Sequence, residues 1–344
     1  MTVGFGLVGC GIVARDHARA LEAAEGARLV AATDVDSDKA KSFCHDEGAA
    51  FCASYEELLR RDDVEAIALA TPSGLHREQT LQAAEAGVHV LTEKPIAITL
   101  EDADEMIRAC RDAGVKLGVL FQRRAMLFYP AIRKAIERGD LGRVVMGSAH
   151  FKYHRGPDYW NSAAWRGTRR LDGGGPLMNC GIHLVDLLVW YMGNPVSVFG
   201  HAETLVSDIE VEDTAVASLK FPGGAVGTIE AATSVFPPSI KHRVEIHGDR
   251  GSIMTEGESV RTWCVRDETG KELDLVKTDE TIAAYSRPFT DPFWIGHRAL
   301  FSDMAAAIRE DRDPVCPGEE ARRSLAVTLA VYESSRTGRP VAPR

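Results

Sequence analysis

From residue 3 to about residue 121 the chain alternates short, continuously apolar runs with amphipathic ones, and few folds accept that pattern. "TVGFGLVG", "ARLVAATD", "AAFCA", "VEAIALATP", "VHVLTEKP" and "VKLGVLF" read as strands. Helical segments lie between them at 13–24 and in "SDKAKSFCHDEG", "SYEELLRRDD", "LHREQTLQAAEAG" and "TLEDADEMIRACRDAG". Strands without polar alternation are buried on both faces, and a helix after each strand returns the chain so that the next can lie parallel. The fold class is therefore α/β, opening with a doubly wound parallel sheet over residues 1–121. The "TLED" that begins the last of these helices has the form of a capping box.

The pattern changes after residue 121. One helix, roughly 128–138, precedes "RVVMGSAHFKYH", and the long apolar stretch after "DGGG" reads as a second. Strand-like segments then follow one another: "VSVFGHAETL", "TAVASLKF", "AVGTIEAATS", "RVEIHG", "GSIMTE" and "VRTWCV", with "PGG" as a hairpin signal between two of them. Residues 122–344 are expected to form a second α/β domain with a large, mostly antiparallel open sheet. Helices near 295–309 and 318–336 close the chain.

A chain of 344 residues is long enough for two cores. Its 50 acidic and 40 basic residues, net charge −10, are interspersed, so neither a nucleic-acid patch nor a polybasic membrane segment stands out. The apolar runs are too short to span a bilayer. A strand begins almost at the first residue, so no secretory leader is expected. The seven cysteines are scattered and lack CxxC spacing. That suits reduced thiols in a cytoplasmic protein, with no structural zinc and no other metal expected.

Gly9-Cys10-Gly11-Ile12-Val13-Ala14 is a GxGxxA version of the dinucleotide fingerprint, placed between the first strand and first helix. Gly9 allows the tight turn, Gly11 lets backbone approach a pyrophosphate, and Ala14 permits close packing of helix on strand. Ile12 and Val13 open the helix whose free N–H groups face the phosphates. Asp34 closes the second strand, where an acid that accepts from the ribose hydroxyls is expected, and it would repel a 2′-phosphate. The cofactor is thus NAD rather than NADP.

Ligands gather at the carboxyl ends of parallel strands. "ATPSGLH" (70–76) and "TEKPIAIT" (92–99) occupy two such ends and offer Thr71, Pro72, His76 and Glu93 to the cofactor. Lys94 is either an exposed loop lysine or a group held at the nicotinamide end, able to donate to a reacting oxygen. In "LDGGGPLMNCGIHLVDLLVWYMG" (171–193), Asn179, His183 and Asp186 fall on one face at helical spacing. They read either as a satisfied polar cluster in a core or as a functional face. The three glycines before them suggest a close backbone approach, and His183 becomes a candidate base.

Taken together, "GLVGCGIVARDH", "ATPSGLH", "EKPIAIT" and "GGGPLMNCGIHLVDLLVWYMG" resemble the glucose–fructose oxidoreductase/inositol dehydrogenase/MocA family of NAD(P)-dependent oxidoreductases, over essentially the whole chain. The resemblance implies a Rossmann domain followed by an α/β domain whose open sheet often mediates dimers or tetramers. It implies that Lys94 is the catalytic lysine and His183 the acid/base histidine, and that Gln122 and Arg123 contact cofactor and substrate. Inositol-dehydrogenase-like members carry an aspartate four residues before that histidine, whereas this chain has Asn179. "WRGTRRLDGGGPLMNCGIH" looks closer to a branch acting on nucleotide sugars, which adds Tyr153, Trp165 and Arg166 to the substrate contacts and Arg155, Arg169 and Arg170 as partners for a carboxylate or phosphate.

The expected reaction is reversible oxidation of a secondary hydroxyl on a sugar, sugar derivative or cyclitol. His183 takes the hydroxyl proton, Lys94 polarises the same oxygen, and Asn179 orients the substrate or His183. Inositol 2-dehydrogenation is an alternative, and a non-catalytic NAD- and sugar-binding regulator is the alternative of another class.

Overall fold

The computed structural model describes residues 2–126, 128–237, 240–287 and 294–344. The chain divides into two compact units that a single cut does not separate: Met1–Met126 with Asp291–Arg322, and Leu127–Thr290 with Arg323–Arg344. The stretch 291–322 thus belongs with the N-terminal sheet.

In the first unit β1 (Val3–Val8), α1 (Ala14–Ala23), β2 (Ala27–Thr33), α2 (Ser37–Glu47), β3 (Ala50–Phe51), α3 (Tyr55–Leu59), β4 (Ala66–Leu69), α4 (His76–Glu85), β5 (His89–Thr92), α5 (Leu100–Asp112) and β6 (Leu117–Val119) follow the expected alternation. The sheet order is β3-β2-β1-β4-β5-β6, and every neighbouring pair is parallel. β1 and β4 are buried at every position, as strands covered on both faces must be. Thr99 caps α5 by accepting from Asp102 N–H at 3.1 Å, as the capping-box reading required. The core includes Phe5, Leu7, Leu21 and Leu91, and Phe301 and Met304 of the helix Trp294–Glu310 join it. Phe301 meets Phe5 edge-on with ring centroids 5.3 Å apart, so the late helix closes the face that α1 leaves open.

The second unit carries α6 (Tyr129–Glu137), β7 (Val144–Lys152), α7 (Pro157–Trp160), α8 (Ile182–Met192), β8 (Ser197–Glu203), β9 (Thr214–Lys220), β10 (Val226–Ala232), β11 (Arg243–Gly248), β12 (Gly251–Glu256), β13 (Val260–Arg266) and β14 (Glu272–Asp274). Its eight strands are ordered β14-β13-β12-β11-β7-β10-β9-β8, antiparallel except for the β7–β10 pair. Helix α8 lies on one face: a side-chain carbon at Gly147 of β7 would stand 2.9 Å from Leu188, so only glycine admits the helix there. β14, α7 and the short helices Leu275–Thr278 and Glu280–Tyr285 go beyond the sequence expectation, since each is too short to show a period.

One expectation is corrected. The run after Asp172-Gly-Gly-Gly is not helical throughout: α8 begins at Ile182, and residues before it form turns in which Asn179 N–H donates to Gly175 O and Gly181 N–H to Pro176 O. Gly173, Gly174 and Gly175 interrupt helical continuity, and proline at 176 removes a donor. Asn179 therefore lies in the turn ahead of the helix, while His183 and Asp186 are inside it, at 6% and 1% exposure.

Candidate functional site

A candidate nucleotide site is built within the first unit, at the carboxyl ends of β1, β2, β4 and β5. Gly9 has φ +95°, and a Cβ on it would stand 2.8 Å from Ala70 O, so the turn after β1 admits only glycine. A Cβ on Gly11 would meet nothing within 4 Å, so the protein leaves space beside this backbone. Val13 sits at the N-cap of α1 with no side-chain cap, and Ile12 is 80% exposed. The first-turn N–H groups thus lack a capping side chain, as a phosphate site needs. Asp34, just past β2, accepts from Cys10 N–H at 2.7 Å and from Asp36 N–H at 2.9 Å, with Lys39 Nζ 3.7 Å away. Burial, with the Asp34 charge, pushes the Cys10 thiol up to about 12, which leaves it protonated and no nucleophile.

The two later loops are tied together. His76 is fully buried, with Nε2 3.0 Å from Thr71 O and Nδ1 3.0 Å from Pro95 O. It therefore pins the 70–76 loop to the 92–99 loop. Thr71 Oγ1 donates to Gln79 Oε1 at 2.6 Å, and Pro72 precedes the single turn Ser73–Leu75. Glu93 is buried; its Oε1 lies 2.9 Å from His17 Nε2 and 3.6 Å from His297 Nε2, and its Oε2 accepts from Lys94 N–H at 3.2 Å. Burial would raise the Glu93 carboxyl, but the two imidazoles and the Lys94 charge hold it well below its ordinary range. Burial also pushes His17 down, so an ionised carboxylate stands between imidazoles directly before the half-buried Lys94. His17, Glu93 and His297 come from α1, a loop and a late helix, and sequence distance hid the cluster. Gln122 is buried, and its Oε1 has no hydrogen-bond partner among the described residues. Arg123 beside it is half-buried.

These features fit NAD: a glycine turn, an uncapped helix start, a carboxylate at the end of β2 and an unsatisfied buried amide oxygen.

In the second unit the turn before α8 is organised by acids that sequence reading did not assign. Asp172 is buried and accepts from Gly167 N–H at 2.8 Å and from Asn179 Nδ2 at 2.5 Å. Asn179 Oδ1 accepts from Cys180 Sγ at 3.3 Å, so both ends of its amide are engaged within the turn. Glu212 accepts from Gly175 N–H at 2.8 Å, Leu177 N–H at 3.0 Å and Tyr332 Oη–H at 3.0 Å. A Cβ on Gly175 would fall 1.7 Å from Glu212 O, and one on Gly174 2.2 Å from the Tyr332 hydroxyl. The close approach that the glycines permit is thus to the protein's own Glu212 and Tyr332. Burial pushes the Glu212 carboxyl up to about 7 against those three donors.

An aromatic and cationic cluster adjoins that turn. Tyr159 of α7 has the guanidiniums of Arg155 and Arg166 each 4.6 Å from its ring centroid, and Arg166 also lies 4.6 Å from the Trp165 ring. Arg166 Nη1 donates to Tyr159 Oη at 3.0 Å, and that oxygen is 3.9 Å from Cys180 Sγ. Among the described residues neither guanidinium is paired with a carboxylate, and Arg166 Nε has no hydrogen-bond partner. Arg169, by contrast, is committed to Glu210 through its backbone N–H and its Nε. Tyr153, just past β7, is half-buried, with its hydroxyl 2.8 Å from His242 Nδ1.

A parallel six-stranded sheet with these phosphate and ribose features, followed by an open eight-stranded sheet, defines a two-domain NAD-dependent oxidoreductase. Residues 3–121 match the family model described as Oxidoreductase family, NAD-binding Rossmann fold, and residues 133–342 the one described as Oxidoreductase family, C-terminal alpha/beta domain. The chain belongs to this Gfo/Idh/MocA oxidoreductase family. It is 31% identical to a 1,5-anhydro-D-fructose reductase of Ensifer adhaerens, covering 97% of this chain and 96% of that protein. It is 26% identical to a myo-inositol 2-dehydrogenase of Thermotoga maritima over 98% and 97% of the two. The WlbA dehydrogenase from Bordetella pertussis, solved in complex with NADH and UDP-GlcNAcA, matches with a TM-score of 0.92 and 33% identity over 99% of this chain and 97% of that one.

Proposed function

We propose that the chain oxidises a secondary hydroxyl of an anionic pyranose, and that a nucleoside-diphosphate uronic acid is the substrate chemistry it fits best. The observation that carries this reading is the pair of guanidiniums around Tyr159, without carboxylate partners and next to the turn that opens α8. Unpaired cations over aromatic faces suit a carboxylate or phosphate on a ring-shaped ligand. The WlbA complex holds a ligand of that kind. The inositol alternative is less well supported, because Asn179 spends its amide on Asp172 and Cys180 and carries no proton to relay.

Gly9, Gly11, Ile12, Val13 and Asp34 hold the pyrophosphate and adenosine ribose, with Thr71, Pro72, Glu93 and Gln122 bordering the cofactor and His76 bracing its loops. Bound NAD supplies the hydride acceptor. Lys94 donates a hydrogen bond to the reacting oxygen and steadies the charge that develops on it. His183 removes the hydroxyl proton. Arg123, Tyr153, Trp165 and Arg166 contact the sugar and its anionic group. The second unit leaves one sheet face with Met146, Phe199, Val216 and Val226 exposed, and a second copy of the chain covers it in a homodimer or homotetramer.

The test follows NADH absorbance while purified protein and NAD meet UDP-GlcNAcA, free hexuronates, hexoses and inositols, with Lys94→Ala alongside. Turnover of the uronate conjugate, reduced roughly 100-fold or more by the substitution, is the expected result. Turnover of neutral sugars alone would overturn the anionic reading. Bound NAD without turnover of any sugar would favour the regulator.

A further inference from the structure

We infer that Asp172 is a positioning residue: it anchors a directed line of hydrogen bonds that holds the Arg166 guanidinium for the anionic group of the sugar. The inference rests on the anionic substrate proposed above, and it gives a role to a buried acid that the proposed chemistry leaves unused.

Asp172 is 1% exposed, and both of its carboxyl oxygens accept. Oδ2 takes the N–H of Gly167, the residue after Arg166, at 2.8 Å, and Oδ1 takes Asn179 Nδ2 at 2.5 Å. From Asn179 the line runs on without a change of direction. Cys180 Sγ donates to Asn179 Oδ1 at 3.3 Å, Tyr159 Oη stands 3.9 Å from Cys180 Sγ, and Arg166 Nη1 donates to Tyr159 Oη at 3.0 Å. With the thiol proton directed at Asn179, the sulfur is left as acceptor and the phenol as donor. Burial pushes the Tyr159 phenol up, so the proton it donates stays in place. Every donor from Arg166 onward therefore points toward Asp172, and the ring closes through the Arg166–Gly167 peptide.

The direction has two physical consequences. Successive donors polarise one another, with a guanidinium at one end and a carboxylate at the other. A long arginine side chain is thus held in one placement before ligand arrives, 4.6 Å from the centroid of the Tyr159 ring, and less rotamer entropy remains to be lost on binding. The line also accounts for asparagine at 179. That position accepts from a thiol and donates to a carboxylate, which an amide can do and an aspartate facing Asp172 cannot. Two facing carboxyls would have to share a proton.

The experiment uses the full chain saturated with NADH, so that nothing turns over, and measures the Kd of UDP-GlcNAcA by isothermal titration. The kcat and the KM for NAD are read separately in the oxidative direction. Asp172→Asn is expected to weaken UDP-GlcNAcA binding about tenfold, the worth of one hydrogen bond, with kcat and the NAD KM little changed. Asn179→Asp alone should lose as much. The double variant Asp172→Asn, Asn179→Asp restores the direction, because the line then ends on the carboxylate at 179 and the amide at 172 donates to it. Most of the affinity is expected to return. A brace of the fold alone would move the melting temperature without this split between sugar and NAD. Should a single variant fail to fold, Cys180→Ala and Cys180→Ser read the same line, with about a threefold loss of affinity in the first and little in the second. UDP-GlcNAcA affinity unchanged in Asp172→Asn, a double variant no better than the weaker single one, or Cys180 variants that behave alike would each overturn the inference. Failure of the unmodified protein to bind UDP-GlcNAcA would instead overturn the proposed substrate, and the inference with it.

Discussion

Asp34 braces the glycine turn, and in the proposed function it also receives the adenosine ribose. Its oxygens already accept from Cys10 N–H and Asp36 N–H, which brace the glycine turn against β2, and each oxygen retains a lone pair for a ribose hydroxyl. Asp34→Ala is expected to weaken NAD binding roughly tenfold to a hundredfold, the range for hydrogen bonds to a charged group, and to narrow the preference over NADP. Isothermal titration with both cofactors measures it. A loss of melting temperature with NAD affinity intact would leave Asp34 a brace alone. Lys39, 3.7 Å away, offsets part of the repulsion toward a 2′-phosphate, so the preference should be real but not absolute. At this scale the sequence was legible where a motif ties residue type to backbone geometry, as at Gly9, whose φ is +95°. It was silent on His17 and His297, because each acquires meaning only from Glu93, dozens of residues away. Asn179 was legible as a polar interruption, but its partner Asp172 was not.

The turn that delivers α8 shows how an element can depend on one buried acid. Glu212 gathers the N–H groups of Gly175 and Leu177 and the Tyr332 hydroxyl, and the glycines exist to let that carboxylate and its backbone in. The carboxyl is raised from 4.5 to about 7 in the folded protein, so the folded state binds more protons than the unfolded state between those values. Stability from this group is therefore greatest below about pH 4.5 and is lost as pH rises toward 7, by about 3 kcal/mol in all. Glu212→Gln removes the titration. The stability gap between variant and unmodified protein, measured by urea unfolding from pH 5 to 8, should shift in the variant's favour as pH rises. A gap that stays constant with pH would sink the assignment. Buried His17 and His76 titrate in the opposite sense, but both are present in each protein and drop out of the comparison. The helical reading of the run after the glycines held from Ile182 and failed before it for a local reason: periodicity registers apolar spacing and cannot register that Gly-Gly-Gly-Pro is spent on reaching Glu212.

Across the whole molecule, periodicity alone served the first sheet well, because strands buried on both faces advertise themselves as unbroken apolar runs. The mostly antiparallel character of the second sheet was also legible, from consecutive strands joined by short turns. The return of 291–322 to the first unit was not, since Phe301 and Met304 look like any apolar helix positions until β1 is placed beside them. The open face of the second sheet carries the last prediction. Pairing sets Val226 beside Met146 and Lys220, and Val216 between His201 and Glu230, so the outward face carries one apolar pair and single apolar side chains among polar ones. Val216 and Val226 are 47% and 45% exposed, and Phe199 of β8 is 37% exposed. A monomer would leave Met146, Val226, Val216 and Phe199 in water, at about 25 cal/mol per Å² of apolar surface. A charge introduced on this face should be costly to an assembled form that buries it and nearly neutral to the fold, because the side chain points away from the core. Val216→Asp is therefore expected to shift the protein toward monomer in light scattering coupled to size-exclusion chromatography, with little change in urea midpoint at equal protomer concentration after allowance for dissociation. An assembly unmoved by Val216→Asp and by Phe199→Asp would place the contact elsewhere, and a monomer in the unmodified protein would remove it.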